Sequence, residues 1–235
     1  TDNNGMKFAH KVSDLCVLWD IELWVVPGNH ENHRVVNELL GEDRTTRKEY
    51  RPNVSVLPRG YRWEWGGMSF VALGGAPSVD RGWRVRANRD LNPDAKNKHW
   101  YPEEALTDED VAFVSEGGYA DVMVGHDAPR GVPRVDSVIA GNPMGFLDED
   151  LAYADIGRGL MNEAFHAVAP SYFFHGHYHV GGSDYVDVGD GRALVTSLAH
   201  EMNNYSMAVL DTEDGSVMRI DHSKDIPLFR RGGSW

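Results

Sequence analysis

The sequence has a single cysteine, no long apolar run and a deficit of positive charge. Because Cys16 is the only cysteine, an intramolecular disulfide and a cluster of thiolate metal ligands are excluded, and a reducing, cytoplasmic location is expected. No apolar run approaches the ~20 residues that cross a bilayer, so we expect no membrane partner. The 23 Lys and Arg residues against 36 Asp and Glu residues give a formal net charge of −13. Non-specific binding of duplex nucleic acid needs a basic face, and this charge argues against it.

The remaining composition is typical of one globular domain. The chain has 235 residues, of which 41% are hydrophobic and 25% charged, and it contains no repeat, low-complexity tract or interdomain linker. We therefore predict a single domain over 1–235. Its first elements are a helix over 6–19, a buried strand over 21–26 and a helix over 32–40. This order predicts an α/β fold in which ligands bind beyond the carboxyl end of the strand.

Two features of the first third of the chain are specific enough to test. The apolar stripe that predicts the first helix consists of Phe8, Val12, Leu15 and Trp19, and Cys16 flanks it as a small core residue. Alternating aromatic and charged residues over 61–65, the turn Gly66-Gly67 and an apolar run over 68–73 predict a β-hairpin. We expect Trp63 and Trp65 to share one packed face of it.

The middle of the chain contains a long stretch that we predict to be irregular, over 81–98. It has a local net charge of +4 on an acidic protein, from Arg81, Arg84, Arg86, Arg89, Lys96 and Lys98 against Asp90 and Asp94. It is either a loop that steers an anionic substrate or a solvated face.

Later elements follow from capping and periodicity. A Thr-Asp capping pair at 107 and 110 predicts a short helix, and 121–125 a strand. A loop is expected over 130–147. A long helix should begin near the acidic cluster 148–150, with Ile156, Leu160, Ala164 and Val168 on its apolar face. Short strands are expected around 186, 194, 207–210 and 217–220.

The histidine-rich stretch 171–182 follows that long helix. Tyr172 to Phe174 predicts a strand, which breaks at Gly176, and histidines occupy positions 175, 177 and 179. If the backbone stays extended, His177 and His179 share one face. If the chain turns at Gly176, they approach one centre from two directions. The alternative is a surface loop that is merely rich in histidine.

Two further loops resemble this one. The predicted carboxyl ends of three strands are followed by Gly28-Asn29-His30-Glu31, by Gly125-His126-Asp127 and by Gly176-His177-Tyr178-His179. A glycine precedes the histidines of each loop and lets the backbone turn tightly near a bound ion. Neutral imidazole is the commonest metal ligand, so this ordered set predicts a transition-metal centre.

These three motifs together resemble those of the calcineurin-like metallophosphoesterase superfamily. The resemblance covers roughly residues 5–211 and is greatest to small bacterial and phage-type members, which share a Trp-rich hairpin and a Gly-Gly-Ala loop such as 74–76. It implies a four-layer α/β/β/α sandwich with two metal ions between the carboxyl ends of two sheets. It also implies hydrolysis of a phosphomonoester or phosphodiester by a metal-activated water.

The resemblance assigns roles by position. Asn29, His126 and His177 would bind one metal ion, and His179 the other. His30 would protonate the leaving oxygen or stabilise charge on the phosphoryl group. Neutral nitrogen and oxygen ligands suit Mn²⁺, Fe or Zn²⁺.

Four more residues are candidates around this centre. Arg81 and Arg84 are candidate substrate contacts, whereas His175 and Asp127 are expected to orient ligands from behind. Val79-Asp80-Arg81-Gly82 matches the end of a protein Ser/Thr phosphatase motif but lacks its leading Gly-Asp and its position, so we interpret the match as coincidence.

The sequence departs from the family pattern in one respect. The family's Asp-x-His and Gly-Asp motifs, which supply ligands of the first ion and the bridging aspartate, are missing from the 27 residues before Gly28. We therefore expect an N-terminally truncated domain that holds one ion or none, with impaired activity. The alternatives are a non-catalytic domain of this fold that binds a partner, and a purely structural single-metal site. The acidic charge favours small phosphate esters as substrates.

Overall fold

The chain combines helices with mixed sheets, consistent with the predicted α/β class. The computed structural model describes residues 3–91, 98–201 and 203–221. Its helices are α1 Asn3–Leu18, α2 His33–Leu40, α3 Arg81–Arg89, α4 Asp108–Glu116, α5 Pro133–Ile139 and α6 Asp148–Val168, with a 3-10 helix at Pro102–Glu104. Its strands are β1 Leu23–Val25, β2 Lys48–Arg51, β3 Val54–Val56, β4 Arg62–Trp65, β5 Met68–Leu73, β6 Val122–Gly125, β7 Tyr172–His175, β8 Gly182–Val188, β9 Gly191–Ser197, β10 Ala208–Leu210 and β11 Val217–Arg219.

The larger sheet has six strands in the order β4-β5-β6-β7-β9-β8. Strands β5, β6, β7 and β9 are parallel neighbours, and the antiparallel strands β4 and β8 form the edges. Because parallel strands end at the same edge of a sheet, the loops after β5, β6 and β7 meet there.

A second sheet, in the order β1-β3-β2, brings the loop after β1 to the same place. Strand β1 is parallel to β3 and ends at Val25. Just beyond it, the carbonyl of Pro27 accepts a hydrogen bond of 2.8 Å from the backbone N–H of Gly75, after β5. The carboxyl ends of the two sheets are therefore joined directly. A separate hairpin, β10-β11, completes the described strands.

The core of the larger sheet is packed by α4 and α6. Val114, Met161 and Phe165 from these helices are fully buried with Phe173 of β7. The ring of Phe165 lies 5.6 Å from that of Phe173. This apolar layer holds β6 and β7, whose ends carry the predicted histidine loops, in fixed register.

Several predicted elements are confirmed. Strands β4 and β5 form the predicted hairpin, and Trp63 stacks on Phe70 with ring centroids 5.1 Å apart while Trp65 packs edge-on to Trp63. Thr107 and Asp110 form a reciprocal capping box at α4. Asn32 caps α2, which ends before Gly41. In the part of the chain that is described, no helix is long and apolar enough to span a membrane.

Two predicted loops are wrong. Residues 81–89 form α3 instead of an irregular segment, while 92–97, including Lys96, lie outside the described residues. The predicted loop over 130–147 contains α5, which begins with Pro133 at a position where a helix needs no N–H donor.

The apolar stripe predicted for α1 is also wrong. Phe8, Leu15 and Trp19 are exposed, and the buried face carries Ser13 and Cys16. Ser13 Oγ donates a hydrogen bond of 2.7 Å to the carbonyl of Pro52, so a polar contact fixes this face on the second sheet. Cys16 is buried and unpaired, as expected for a small core residue.

The apolar face predicted for α6 is wrong at one position. Ile156 is exposed, whereas Gly157, Met161, Ala164 and Val168 are buried. The apolar stripe therefore starts one residue later than the sequence pattern predicts.

Candidate metal centre

Three strand-end loops converge on a cluster of imidazoles. Asn29 follows β1, His126 follows β6 and His177 follows β7. Asn29 Oδ1 lies 3.0 Å from His126 Nε2, and the rings of His126 and His177 have centroids 5.2 Å apart. The backbone N–H of Gly176 donates to the carbonyl of His126, which ties the second and third loops together. The structure thus brings together the three residues predicted to share one ion.

The backbone turns sharply after β7. The N–H of Tyr178 donates to the carbonyl of Gly176, and both His177 (φ 65°) and His179 (φ 57°) are left-handed. Of the two arrangements that the sequence allowed, the chain therefore adopts the turn. Left-handed conformations cost a non-glycine residue of order 1–3 kcal/mol and persist where the surroundings impose them, often at functional sites.

Gly28 allows the close approach of the first two loops. A Cβ atom at this position would lie 2.5–2.7 Å from three ring atoms of His126, closer than any real contact. The loop is held from both sides, since the Gly28 N–H donates to Glu31 Oε2 at 2.8 Å and His33 Nε2 donates to the Gly28 carbonyl at 3.0 Å. Alanine cannot replace Gly28 without moving the imidazole.

The imidazoles of the cluster are held in the neutral form. Burial, followed by the neighbouring His177, lowers the pKa of His126 to about 3. Burial, followed by His179, lowers the pKa of His177 to about 4. A neutral imidazole has a free lone pair at pH 7, which is the form that binds metal ions.

His30 faces a buried arginine beside this cluster. Arg84 is 8% exposed, and its Nη2 atom lies 3.1 Å from His30 Nε2 while its Nε atom donates to Asp80 Oδ1 at 2.6 Å. Burial, and then the charge of Arg84, lower the pKa of His30. Arg84 Nη2 also lies 3.5 Å from His30 Nδ1, so the guanidinium faces both ring nitrogens, and because it cannot accept a hydrogen bond, the imidazole accepts from it.

His179 lies next to His200, a histidine that the sequence did not indicate as a candidate. The rings of His179 and His200 have centroids 5.3 Å apart, and Asn203 Nδ2 contacts His200 Nε2. Within the described ranges, no third His, Cys, Asp or Glu completes a metal-binding group with any such pair.

The two residues predicted to orient ligands lie beneath the turn. His175 Nδ1 donates to the carbonyl of Gly176 at 3.0 Å, and Nε2 accepts from Ser197 Oγ at 2.8 Å. Asp127 accepts from Tyr178 Oη at 2.7 Å and from the Ala128 N–H at 2.8 Å. Burial raises the pKa of Asp127 to about 6. Both groups support the backbone from which His126 and His177 project.

Arg81 and Arg84, the two candidate substrate contacts, separate in the structure. Arg84 lies beside His30. The guanidinium of Arg81 instead lies over the rings of Tyr153 and Trp100, 4.8 and 5.5 Å from their centroids. Arg81 therefore belongs to the packing of α3, outside the group around His30.

Four functional candidates were missed at the level of sequence: Ser78, Asp80, Glu104 and His200. Asp80 lies within the Val79–Gly82 segment that we interpreted as a coincidental match, and that segment was the available signal. Ser78 and Glu104 are fully buried, and Ser78 Oγ accepts from Asn29 Nδ2 at 2.9 Å. No local pattern marks either residue, because their partners are distant in sequence.

Asn29, His126 and His177 offer the neutral oxygen and nitrogen ligands that suit a divalent transition-metal ion. Two ligands about 2.1 Å from one ion, at right angles, are about 3.0 Å apart, and Asn29 Oδ1 and His126 Nε2 have this separation. The neutral imidazole of His177 adds a third donor. A second ion would have only His179 and His200 on its side, among the described residues.

Comparison with known proteins adds no assignment to this geometry. No protein-family model and no curated protein matches the chain.

Proposed function

We propose that this chain is a metal-dependent phosphoesterase of the calcineurin-like metallophosphoesterase superfamily. It would hydrolyse a phosphomonoester or phosphodiester with a metal-activated water. The observation that carries the proposal is the convergence of Asn29, His126 and His177, with the His30–Arg84 pair beside them. The two sheets joined at their carboxyl ends, with helices packed on the larger one, support a four-layer sandwich of this family.

In the proposed reaction, the chain supplies ligands and oriented donors. Asn29, His126 and His177 would hold a divalent ion such as Mn²⁺, Fe or Zn²⁺, whose contribution when bound would be to neutralise phosphate charge and lower the pKa of a water. Arg84 is held by Asp80 and so presents a fixed positive charge beside the centre. A phosphate ester has the negative oxygens that such a group binds.

The environment of His30 favours one of its two predicted roles. A general acid must carry a proton, but burial and the charge of Arg84 disfavour the imidazolium. Neutral His30 instead has one ring N–H that can donate to a phosphoryl oxygen. We therefore propose that His30 stabilises developing charge on the phosphoryl group.

A second candidate function is a non-catalytic domain that binds one ion or a partner. The specific observation in favour of this function concerns the pair His179 and His200. Around this pair, the described residues offer no carboxylate that would complete the ligands of a second ion. The proposed activity of this chain is accordingly weak, and small phosphate esters are the proposed substrates.

The discriminating experiment combines metal analysis with an assay. The chain is loaded with Mn²⁺ and assayed on p-nitrophenyl phosphate and bis(p-nitrophenyl) phosphate. His126→Ala should abolish hydrolysis together with metal binding. His30→Ala should lower kcat by about 10²-fold with the ion retained. His166→Ala, an exposed histidine on α6, is the matched control.

The outcomes separate the two candidates. Hydrolysis that depends on His126 and His30, or two bound ions per chain, contradicts the non-catalytic function. One bound ion with no hydrolysis on either ester, with Mn²⁺, Fe²⁺ or Zn²⁺, contradicts the phosphoesterase.

A further inference from the structure

A chain of buried polar groups leads away from the metal centre behind Asn29. Ser78, in the loop after β5, and Glu104, at the end of the 3-10 helix, are both fully buried, and Asn29 is 6% exposed. Asn29 Nδ2 donates to Ser78 Oγ at 2.9 Å, and Ser78 Oγ donates to Glu104 Oε2 at 2.8 Å. Three side chains from distant parts of the sequence are thus connected by one continuous line of hydrogen bonds.

Burial raises the pKa of Glu104, and the three hydrogen bonds that it accepts from Ser78 and Trp100 oppose that shift. With Glu104 ionised, the donors and acceptors in this line leave one consistent arrangement. Glu104 Oε1 accepts from the Ser78 N–H at 2.6 Å and from Trp100 Nε1 at 2.9 Å. Glu104 Oε2 takes the single hydroxyl proton of Ser78. Ser78 Oγ can then only accept from Asn29, so the amide nitrogen faces Ser78 and the amide oxygen faces His126. His126 Nε2 must in turn be the donor in the 3.0 Å contact with that oxygen.

We propose that Glu104 is a positioning residue which, through Ser78, fixes the Asn29 amide with its oxygen facing the metal centre. The proposal rests on the proposed function, because a metal ion is bound by the amide oxygen and not by the amide nitrogen. It assigns a role to a carboxylate that touches neither ion nor substrate.

Glu104→Gln should reverse the direction of donation in the hydrogen bonds that link residue 104, Ser78, Asn29 and His126. Two donors, Ser78 N–H and Trp100 Nε1, converge on the Oε1 position, so the glutamine must place its oxygen there and its NH₂ toward Ser78. Ser78 Oγ then accepts from Gln and donates its proton to Asn29. The Asn29 amide must turn over, and its NH₂ group would face His126.

The first experiment determines the direction of these hydrogen bonds in the absence of metal. ¹⁵N NMR of the imidazoles in metal-free protein reports which ring nitrogen of His126 carries the proton. We expect the Nε2–H tautomer in the wild type and the Nδ1–H tautomer in Glu104→Gln, since the turned amide becomes a donor. Glu103→Gln is the matched control, because that side chain is exposed and only its backbone carbonyl is used, by Arg59. It should keep the wild-type tautomer.

The second experiment reads the consequence for the ion. In Co²⁺ titrations followed by visible absorption, Glu104→Gln should bind about 10- to 100-fold more weakly than wild type, the usual cost of losing a ligand's supporting partner. Adding Asn29→Asp should restore binding in the Glu104→Gln background, because a carboxylate accepts from Ser78 with one oxygen and keeps the other for the metal. Asn29→Asp alone should bind Co²⁺ more weakly than the double variant, since Ser78 still donates its proton to Glu104.

The outcomes distinguish this proposal from the proposed function. Wild-type protein that binds no Co²⁺, Mn²⁺ or Zn²⁺ overturns both, even if the tautomer changes as expected. Metal binding with an unchanged His126 tautomer and unchanged affinity in Glu104→Gln overturns the positioning role alone. Thermal unfolding checks that Glu104→Gln folds. If it does not, Ser78→Ala replaces it, and equal affinity in Ser78→Ala and wild type contradicts the proposal.

Discussion

At the scale of single residues, Gly28 sets how closely the first two loops of the centre approach. Because a Cβ there would overlap the His126 ring, Gly28→Ala should displace the imidazole. We expect metal affinity to fall at least about tenfold, and overpacking to lower the free energy of unfolding by about 1–3 kcal/mol. Isothermal titration with Zn²⁺ and urea denaturation measure the two effects.

Gly176→Ala is the matched control for that prediction. A Cβ at Gly176, in the third loop of the centre, would meet nothing within 4 Å. This variant should retain both affinity and stability. Equal metal affinity in Gly28→Ala and Gly176→Ala would contradict the steric role of Gly28.

Individual residues also show which parts of the site could be predicted from the sequence and which could not. His126 directly follows β6 and His177 lies two residues after β7, so a shared site at the strand ends could be predicted from the sequence. Glu104 and Ser78 could not, since their partners are brought together only by packing of the 3-10 helix against the loop after β5. The turn at His177 was left open because both backbone geometries suit the sequence.

At the scale of elements, α3 shows where periodicity fails. Its residues have no apolar stripe, and four arginines dominate it. The helix is held by the local pair of Asp80 with Arg84, four residues apart, and by a tertiary contact in which the N–H of Gly82 donates to Asp150 Oδ1 at 2.9 Å. The tertiary contact is invisible to a local pattern. The hairpin and the capping box were predictable, because their signals lie within a few residues of each other.

The docking of α3 on α6 can be tested through Asp150. Asp150→Ala should lower the free energy of unfolding by about 1–3 kcal/mol, because it leaves the Gly82 N–H without its acceptor. Asp148→Ala is the control: this exposed carboxylate lies in the same first helical turn and shares its favourable position near the helix dipole. Urea denaturation of both variants isolates the Asp150 contact. Equal losses would mean that only the dipole matters.

At the scale of the whole molecule, the joined carboxyl ends of the two sheets bury several neutral histidines together. His33 and His175 are 2% and 1% exposed, and burial lowers the pKa of both, that of His175 to about 3. His126 and His177, which keep some exposure, behave in the same direction. The fold therefore holds these groups uncharged at a pH where the unfolded chain would protonate them.

This arrangement predicts acid sensitivity of the metal-free protein. Below pH 6.5 the unfolded state binds protons at these histidines, whereas the folded state binds them only near pH 3–4 at His126, His175 and His177, and His33 also has a lowered pKa. Stability should thus be full above pH 6.5 and fall as the pH falls toward 4. Each proton of difference contributes about 1.4 kcal/mol per pH unit. Asp127 acts in the opposite direction, because its raised pKa of about 6 lets the folded state gain a proton first.

Urea denaturation in a chelator, at intervals from pH 7.5 to 4.5, measures the slope. The four histidines whose pKa burial lowers, His33, His126, His175 and His177, outnumber the two carboxylates whose pKa burial raises, Asp127 and Glu104, so we expect a net loss of stability with acid. His175→Gln should reduce the slope by about one proton, or about 1.4 kcal/mol per pH unit. His10→Gln, at an exposed position on α1, should leave it unchanged. A stability that is flat or rises between pH 6.5 and 5 would show that the carboxylates dominate and that the buried imidazoles do not determine the acid limit of the fold.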